Sequence, residues 1–157
     1  MENMYKTPES NLIDENVSQE TVYGGFWVRL LASLIDSIWV LALTLTLGWL
    51  VYGAVYFEST DFIQGGADFI ISYVLPFLIT MVFWVYKAAT PGKMVLGLKI
   101  VDATTLENVS KGRLVLRYFA YYVSLIPIGL GFLWVAWDKK KQGWHDKIAK
   151  TLVIKQR

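Results

Sequence analysis

From Phe26 to Phe57 the chain runs through apolar side chains with only Arg29 and Asp36 carrying charge. About 20 such residues cross the hydrocarbon core of a bilayer as a helix, so this run can span with tilt or overhang. Trp27 near its start and Trp49, Tyr52 and Tyr56 near its end fit the aromatic belts of the two interfaces. Composition agrees. Of the 157 residues, 55% are hydrophobic and 18% charged, against roughly 45–50% and 25% in soluble domains. The length allows one ordinary domain. A disordered chain is excluded and a soluble enzyme disfavoured. The chain has no cysteine and a single histidine, His145. That excludes disulfides, thiolate metal sites, Cys nucleophiles, iron–sulfur clusters and a His-rich metal centre.

Two more apolar runs follow. Phe69–Tyr86 is uncharged, with Pro76 inside it, where a kink is expected. Tyr118–Trp137 is interrupted by Pro127, Gly129 and Gly131. The intervening 58–68 stretch holds Glu58, Asp61 and Asp68 but no Lys or Arg. Residues 87–117 hold Lys87, Lys93, Lys99, Lys111, Arg113 and Arg117, and the tail 138–157 is also basic. Residues 1–22 are polar and acidic, read as a disordered tail rather than a signal peptide, because no basic segment leads into a short apolar stretch. The membrane domain is then 23–157.

Basic short loops stay in the cytoplasm. The 58–68 loop therefore faces outward, and 87–117 and the N-terminus face inward. Three plain spans would leave the basic tail outside. A third segment bent at Pro127 would return it to the inner face, at roughly 1 kcal/mol gained per Lys or Arg near anionic lipid. Both topologies remain open at this point. Leu98–Asp102 and Thr151–Lys155 are strand-like and could pair only if both lie on one side. Lys93, in Thr90-Pro91-Gly92-Lys93, sits in a turn at headgroup level. This is not a phosphate loop, because Met94 stands where Ser or Thr is needed and no earlier glycine has the right spacing.

Asp36 lies about 15 Å along the helix from Phe26, near the middle of a ~30 Å hydrocarbon layer. A carboxylate there costs at least ~2.5–3.5 kcal/mol, so a partner is required. Arg29 is the obvious one, on the same helical stripe two turns away. The ~10 Å axial gap is long for direct contact, so a second carboxylate or a headgroup is the alternative for Arg29. Ala32, Ser33 and Ser37 make that face small enough for close helix packing. In the run Trp137–Lys147, His145 beside Asp146 hints at acid–base work, but no nucleophile accompanies it. An interfacial structure there, or a polar site facing Arg29, is the expectation. Asp146 and Lys150 are four apart and could pair on a short helix.

Three blocks together resemble the RDD family of membrane proteins. They are Gly25-Phe26-Trp27-Val28-Arg29-Leu30-Leu31-Ala32-Ser33-Leu34-Ile35-Asp36, Thr90-Pro91-Gly92-Lys93-Met94-Val95-Leu96-Gly97-Leu98-Lys99-Ile100-Val101-Asp102, and Gln142-Gly143-Trp144-His145-Asp146-Lys147. The resemblance covers roughly 22–154. The family is named for one Arg and two Asp. Arg29 and Asp36 match the first two, and Asp146 or Asp138 matches the third. The resemblance implies a prokaryotic cytoplasmic-membrane protein, with transport the activity suggested for the family.

The expected fold is an all-α integral membrane protein. It has two transmembrane helices, a third Pro/Gly-broken hydrophobic segment and a short cytoplasmic β pairing. The expected function is transport of a ligand such as a cation or proton, with a non-transporting scaffold or accessory subunit as the alternative. Arg29, Asp36, Asp146, Asp138 and His145 are the candidate binding residues. No enzyme activity, cofactor, metal or nucleic acid is expected. The expected partners are the lipid bilayer, anionic headgroups at the basic segments, and a second copy or other membrane subunits.

Overall fold

The structure is a computed structural model and describes residues 21–156. The acidic tail expected over 1–22 therefore lies, apart from Thr21 and Val22, outside the described residues.

Among the described residues, two helical stretches are long and apolar enough to cross a membrane, Phe26–Tyr52 and Gly66–Val95. The first is α1 (Phe26–Tyr52). Its apolar side chains Leu34, Ile38, Leu41 and Leu50 point away from the protein, as a lipid-facing surface does. A short α2 (Val55–Glu58) and a loop lead to α3 (Gly66–Phe69). A π-helical turn (Ile70–Val74) and α4 (Leu75–Lys87) continue it. A π-helical turn precedes Pro76, where the sequence placed a kink. Pro76 sits at the start of α4, and just before it the Leu75 N–H reaches back five residues to Ile70 O.

At the end of α4, Ala88 adopts a left-handed conformation (φ +52°), and the chain turns into the short α5 (Pro91–Val95). Strand β1 (Leu98–Asp102) follows and pairs antiparallel with β2 (Thr151–Lys155), from Leu98↔Lys155 to Asp102↔Thr151. The expected pairing is thus present. Residues 22–24 lie along the other edge of β2, through Lys155 N–H to Val22 O and Gly24 N–H to Val153 O, both 2.8 Å.

The third apolar segment comprises α6 (Lys111–Leu125), then α7 (Leu130–Leu133) with a 3-10 turn (Trp134–Ala136). The two parts are bent by 111°. Ile128 (φ +55°) and Gly129 (φ +76°) are both left-handed and reverse the chain. Gly129 occupies that conformation without the steric cost a side chain brings. Last comes α8 (Trp144–Ile148), just before β2. The bend and the sheet together bring the chain's end back beside β1.

The sequence reading placed 87–117 in one basic segment, and the structure corrects this. Arg113 and Arg117 belong to α6, which starts at Lys111, seven residues before the apolar run. Leu114, Arg117, Ala120 and Ser124 make its buried face. Dividing the chain by charge cuts a helix whose inward stripe contains an arginine. The core joins the long helices to the sheet layer: Ala32, Trp84, Leu98, Ile100, Leu114 and Val153 are packed together and buried. Arg113 fastens α6 to the same layer, with Nε donating to Ala149 O at 2.8 Å and an ion pair to Asp102.

Candidate functional site

Arg29 lies one turn into α1, and its side chain turns back toward the sheet layer. Nε donates to Gly24 O at 2.7 Å, Nη2 to Lys141 O at 2.6 Å and Nη1 to Asp146 Oδ2 at 2.5 Å. Asp146 is fully buried and is also paired with Arg117, whose Nη1 lies 2.5 Å from Oδ1. Its Oδ2 further accepts the Gly143 N–H at 3.0 Å. The carboxylate thus sits at the third position of α8 and reaches back to the residue that starts it, half of a capping box. Arg117 is fully buried and donates to Thr151 Oγ1 on β2. One carboxylate therefore joins α1, α6 and α8. Burial opposes ionisation of Asp146, but Arg117 and Arg29 outweigh it and hold the carboxyl well below the usual carboxylate range.

Asp36 has a different set of partners. The Thr90 hydroxyl donates to Oδ2 at 2.5 Å, the Gly92 N–H to Oδ1 at 2.7 Å and the Trp39 Nε1–H to Oδ1 at 3.1 Å. Thr90 precedes α5, Pro91 begins it without an N–H to offer, and Gly92 carries the first free donor. Asp36 therefore caps α5 from another helix, the role a side chain of α5's own usually fills. Gly92 is required for this approach, because an added Cβ would collide with Ala32 O and lie 3.0 Å from the Asp36 carboxyl. The cation expected beside Asp36 is replaced by backbone and hydroxyl donors, and Arg29 takes the alternative of a second carboxylate. Side chains on a helix lean toward its N-terminus, which carries Arg29 away from Asp36 and toward the sheet layer.

Between these two clusters lies a cleft of about 670 Å³, walled by α1, α4, α5, α6 and the bent segment. Arg29, Asp36, Lys93, Arg117 and His145 contribute polar groups, and Phe26, Leu30, Trp84 and Phe132 contribute apolar ones. Lys93 is 8% exposed, with Nζ 5.8 Å from the centre of the Trp84 ring. The expected headgroup-level position of Lys93 is corrected accordingly: α5 packs on α1 and turns the side chain inward.

His145 is 4% exposed. Its Nδ1 lies 3.1 Å from Ser124 Oγ, and its ring is 4.3 Å from that of Tyr121. Burial lowers its pKa to about 3, against the opposing pull of Asp146. The folded state thus keeps the ring neutral, whereas the unfolded chain binds a proton near pH 6.5. Stability is therefore unaffected by this group above that pH. It falls by up to about 1.4 kcal/mol per unit as pH drops from ~6.5 toward the folded value. Melting of the purified protein between pH 7.5 and 5 should show this slope, and His145→Gln should flatten it. An unchanged slope in the variant would assign the acid sensitivity elsewhere.

Of the residues expected from sequence, Arg29, Asp146 and His145 come together, and Asp36 faces the same cleft from its other end. Asp138 does not join them. It pairs with Lys147 at 2.5 Å and accepts the Lys140 and Gln142 N–H groups. Burial raises its pKa, and these partners outweigh that and lower it. Asp146 also does not pair with Lys150, which lies beyond α8 with a left-handed backbone and an exposed side chain. Arg117, Thr90, Gly92 and Trp84 were missed as site residues. Arg117 had a readable signal, since Leu114, Arg117, Tyr121 and Ser124 share one helical stripe.

The family model described as RDD family matches residues 23–150. The uncharacterized protein YxaI of Bacillus subtilis is 36% identical over 149 residues, 83% of this chain and 95% of that protein. An uncharacterized protein of Rickettsia prowazekii is 47% identical over 73 residues, 46% of this chain and 40% of that protein. The uncharacterized membrane protein YteJ of Bacillus subtilis is 27% identical over 137 residues, 86% of this chain and 82% of that protein. No solved structure matches.

Proposed function

This chain belongs to the RDD family of integral membrane proteins, and on that premise we propose that it is a transport-related protein of the cytoplasmic membrane whose cleft takes up a charged ligand. The single observation that carries the reading is the open, mostly apolar cleft of about 670 Å³ with charged side chains in its wall, between helices with lipid-type surfaces. Charged groups inside apolar protein mark ligand and ion pathways. Asp36 is the acidic group in the wall of this cleft.

The proposed topology has α1 and the continuous helix from α3 through α4 crossing fully, with the third segment entering and returning. Both ends and the sheet layer are cytoplasmic. The bend supports this, and so does its tip, where Ile126 and Ile128 are 80% and 96% exposed, as suits insertion among acyl chains. Exposed Lys139 and Lys140, with exposed Trp137, would sit at anionic headgroups. A small bundle encloses little pathway, so a homo-oligomer or another membrane subunit completes it. A cysteine at Lys155 should resist an impermeant thiol reagent added outside intact cells and react after permeabilisation. Labelling from outside would replace the hairpin with three crossings.

The second reading is a scaffold or accessory subunit, favoured by the Arg29–Asp146–Arg117 cluster, whose ion pairs lock three elements together. Asp36→Asn separates the two. Asparagine can still accept the Gly92 N–H, so melting in detergent should fall by no more than about 1 kcal/mol of stability. Ion flux into proteoliposomes should be abolished. A parent protein with no flux, or a variant with full flux, favours the scaffold.

A further inference from the structure

Among the described residues, Lys93 is a cation of the cleft wall without a carboxylate partner. Its Nζ lies over the face of Trp84, and its charge also acts on the neutral Tyr121 and His145, but no acid is paired with it. The carboxyl groups nearby are already engaged. Asp146 holds both Arg29 and Arg117, and Asp36 holds Thr90, Gly92 and Trp39. Counting Asp146 behind the wall, the cleft carries three cations, Arg29, Arg117 and Lys93, against two acids. An ammonium in the wall of a mostly apolar cleft calls for an anion to accompany it, and its three N–H donors suit one with several oxygens. The rest of the wall is apolar, with Phe26, Leu30, Phe132 and Leu133.

We propose that the cleft binds an amphiphilic anion, its oxyanion head at Lys93 and its apolar body against Phe26, Leu30, Phe132 and Leu133. The inference rests on the reading of the cleft as a ligand site. It adds the chemical class of the ligand and the residue that selects it. An anionic phospholipid entering from the bilayer and a soluble organic anion share this chemistry, and the two arms of one experiment separate them.

The full chain is reconstituted in nanodiscs and its indole 15N–1H resonances are recorded, with that of Trp84 identified by its loss in Trp84→Phe. One arm replaces phosphatidylcholine with phosphatidylglycerol. The other keeps phosphatidylcholine and adds octyl phosphate. A saturable shift of the Trp84 resonance in either arm supports the proposal, and the responding arm names the source. Lys93→Arg and the surface control Lys139→Gln should bind as the parent does, and Lys93→Met at least tenfold more weakly. No Trp84 shift in either arm overturns the proposal without recourse to any Lys93 variant, as does a folded Lys93→Met that binds with parental affinity. Binding without flux keeps this inference and defeats transport. Flux without anion binding does the reverse.

Discussion

Asp146→Ala is expected to cost about 3–5 kcal/mol, the loss typical when one partner of a buried ion pair is removed. The substitution leaves Arg29 and Arg117 as neighbouring buried cations with no carboxylate between them. It also frees the Gly143 N–H. Set against a total stability of about 5–15 kcal/mol, that is enough to detach α8 from α1 and α6. Thermal melting and size-exclusion profiles in detergent would show a large loss of folded monodisperse protein. Arg29→Met should cost less, because Asp146 keeps Arg117 and the Gly143 N–H, and the double variant Arg29→Met/Asp146→Ala should be less damaged than the sum of the two. Strict additivity would mean that the two residues stabilise the protein independently, contrary to the 2.5 Å contact.

The second large effect is expected at Gly92. In Gly92→Ala the new methyl group must enter space held by Ala32 O and the Asp36 carboxyl. Overpacking costs about 1–3 kcal/mol, and separating α5 from α1 also forfeits a charge-assisted hydrogen bond of about 1.5–3 kcal/mol. A loss near 3 kcal/mol is expected, read as a fall in melting temperature. Gly112→Ala is the internal control. It lies in α6 with open space at its Cβ and should be neutral or slightly stabilising, by up to about 1 kcal/mol from helix propensity. Equal effects at the two sites would argue against the tight α1–α5 approach.

Much of this architecture was legible in the residues themselves. A run such as Phe26–Phe57 can satisfy its backbone in lipid only as a helix, so the first span followed from composition alone. The β-branched Thr151–Ile154 and the alternating Leu98–Asp102 declared themselves as strands by local preference. Pro127 and Gly129 marked the place where the third segment would have to turn. Arg29, Asp36 and Asp146 stood out because charge within or beside such runs needs an explanation.

Their partners were not legible, because pairing depends on where side chains from distant segments meet. One helix suggested that Arg29 belonged to Asp36. Folding instead brings α8, well over a hundred residues later, against the start of α1, and sends Asp36 to the start of α5. Arg117 was hidden for a related reason: its charge assigned it to a loop, while its helical stripe assigned it to the core. Local chemistry determined which segments are helices and strands and which charges demand a partner. Only the three-dimensional arrangement decided which partner each received, because a buried charge is matched by whatever donor or acceptor packing places within about 3 Å of it.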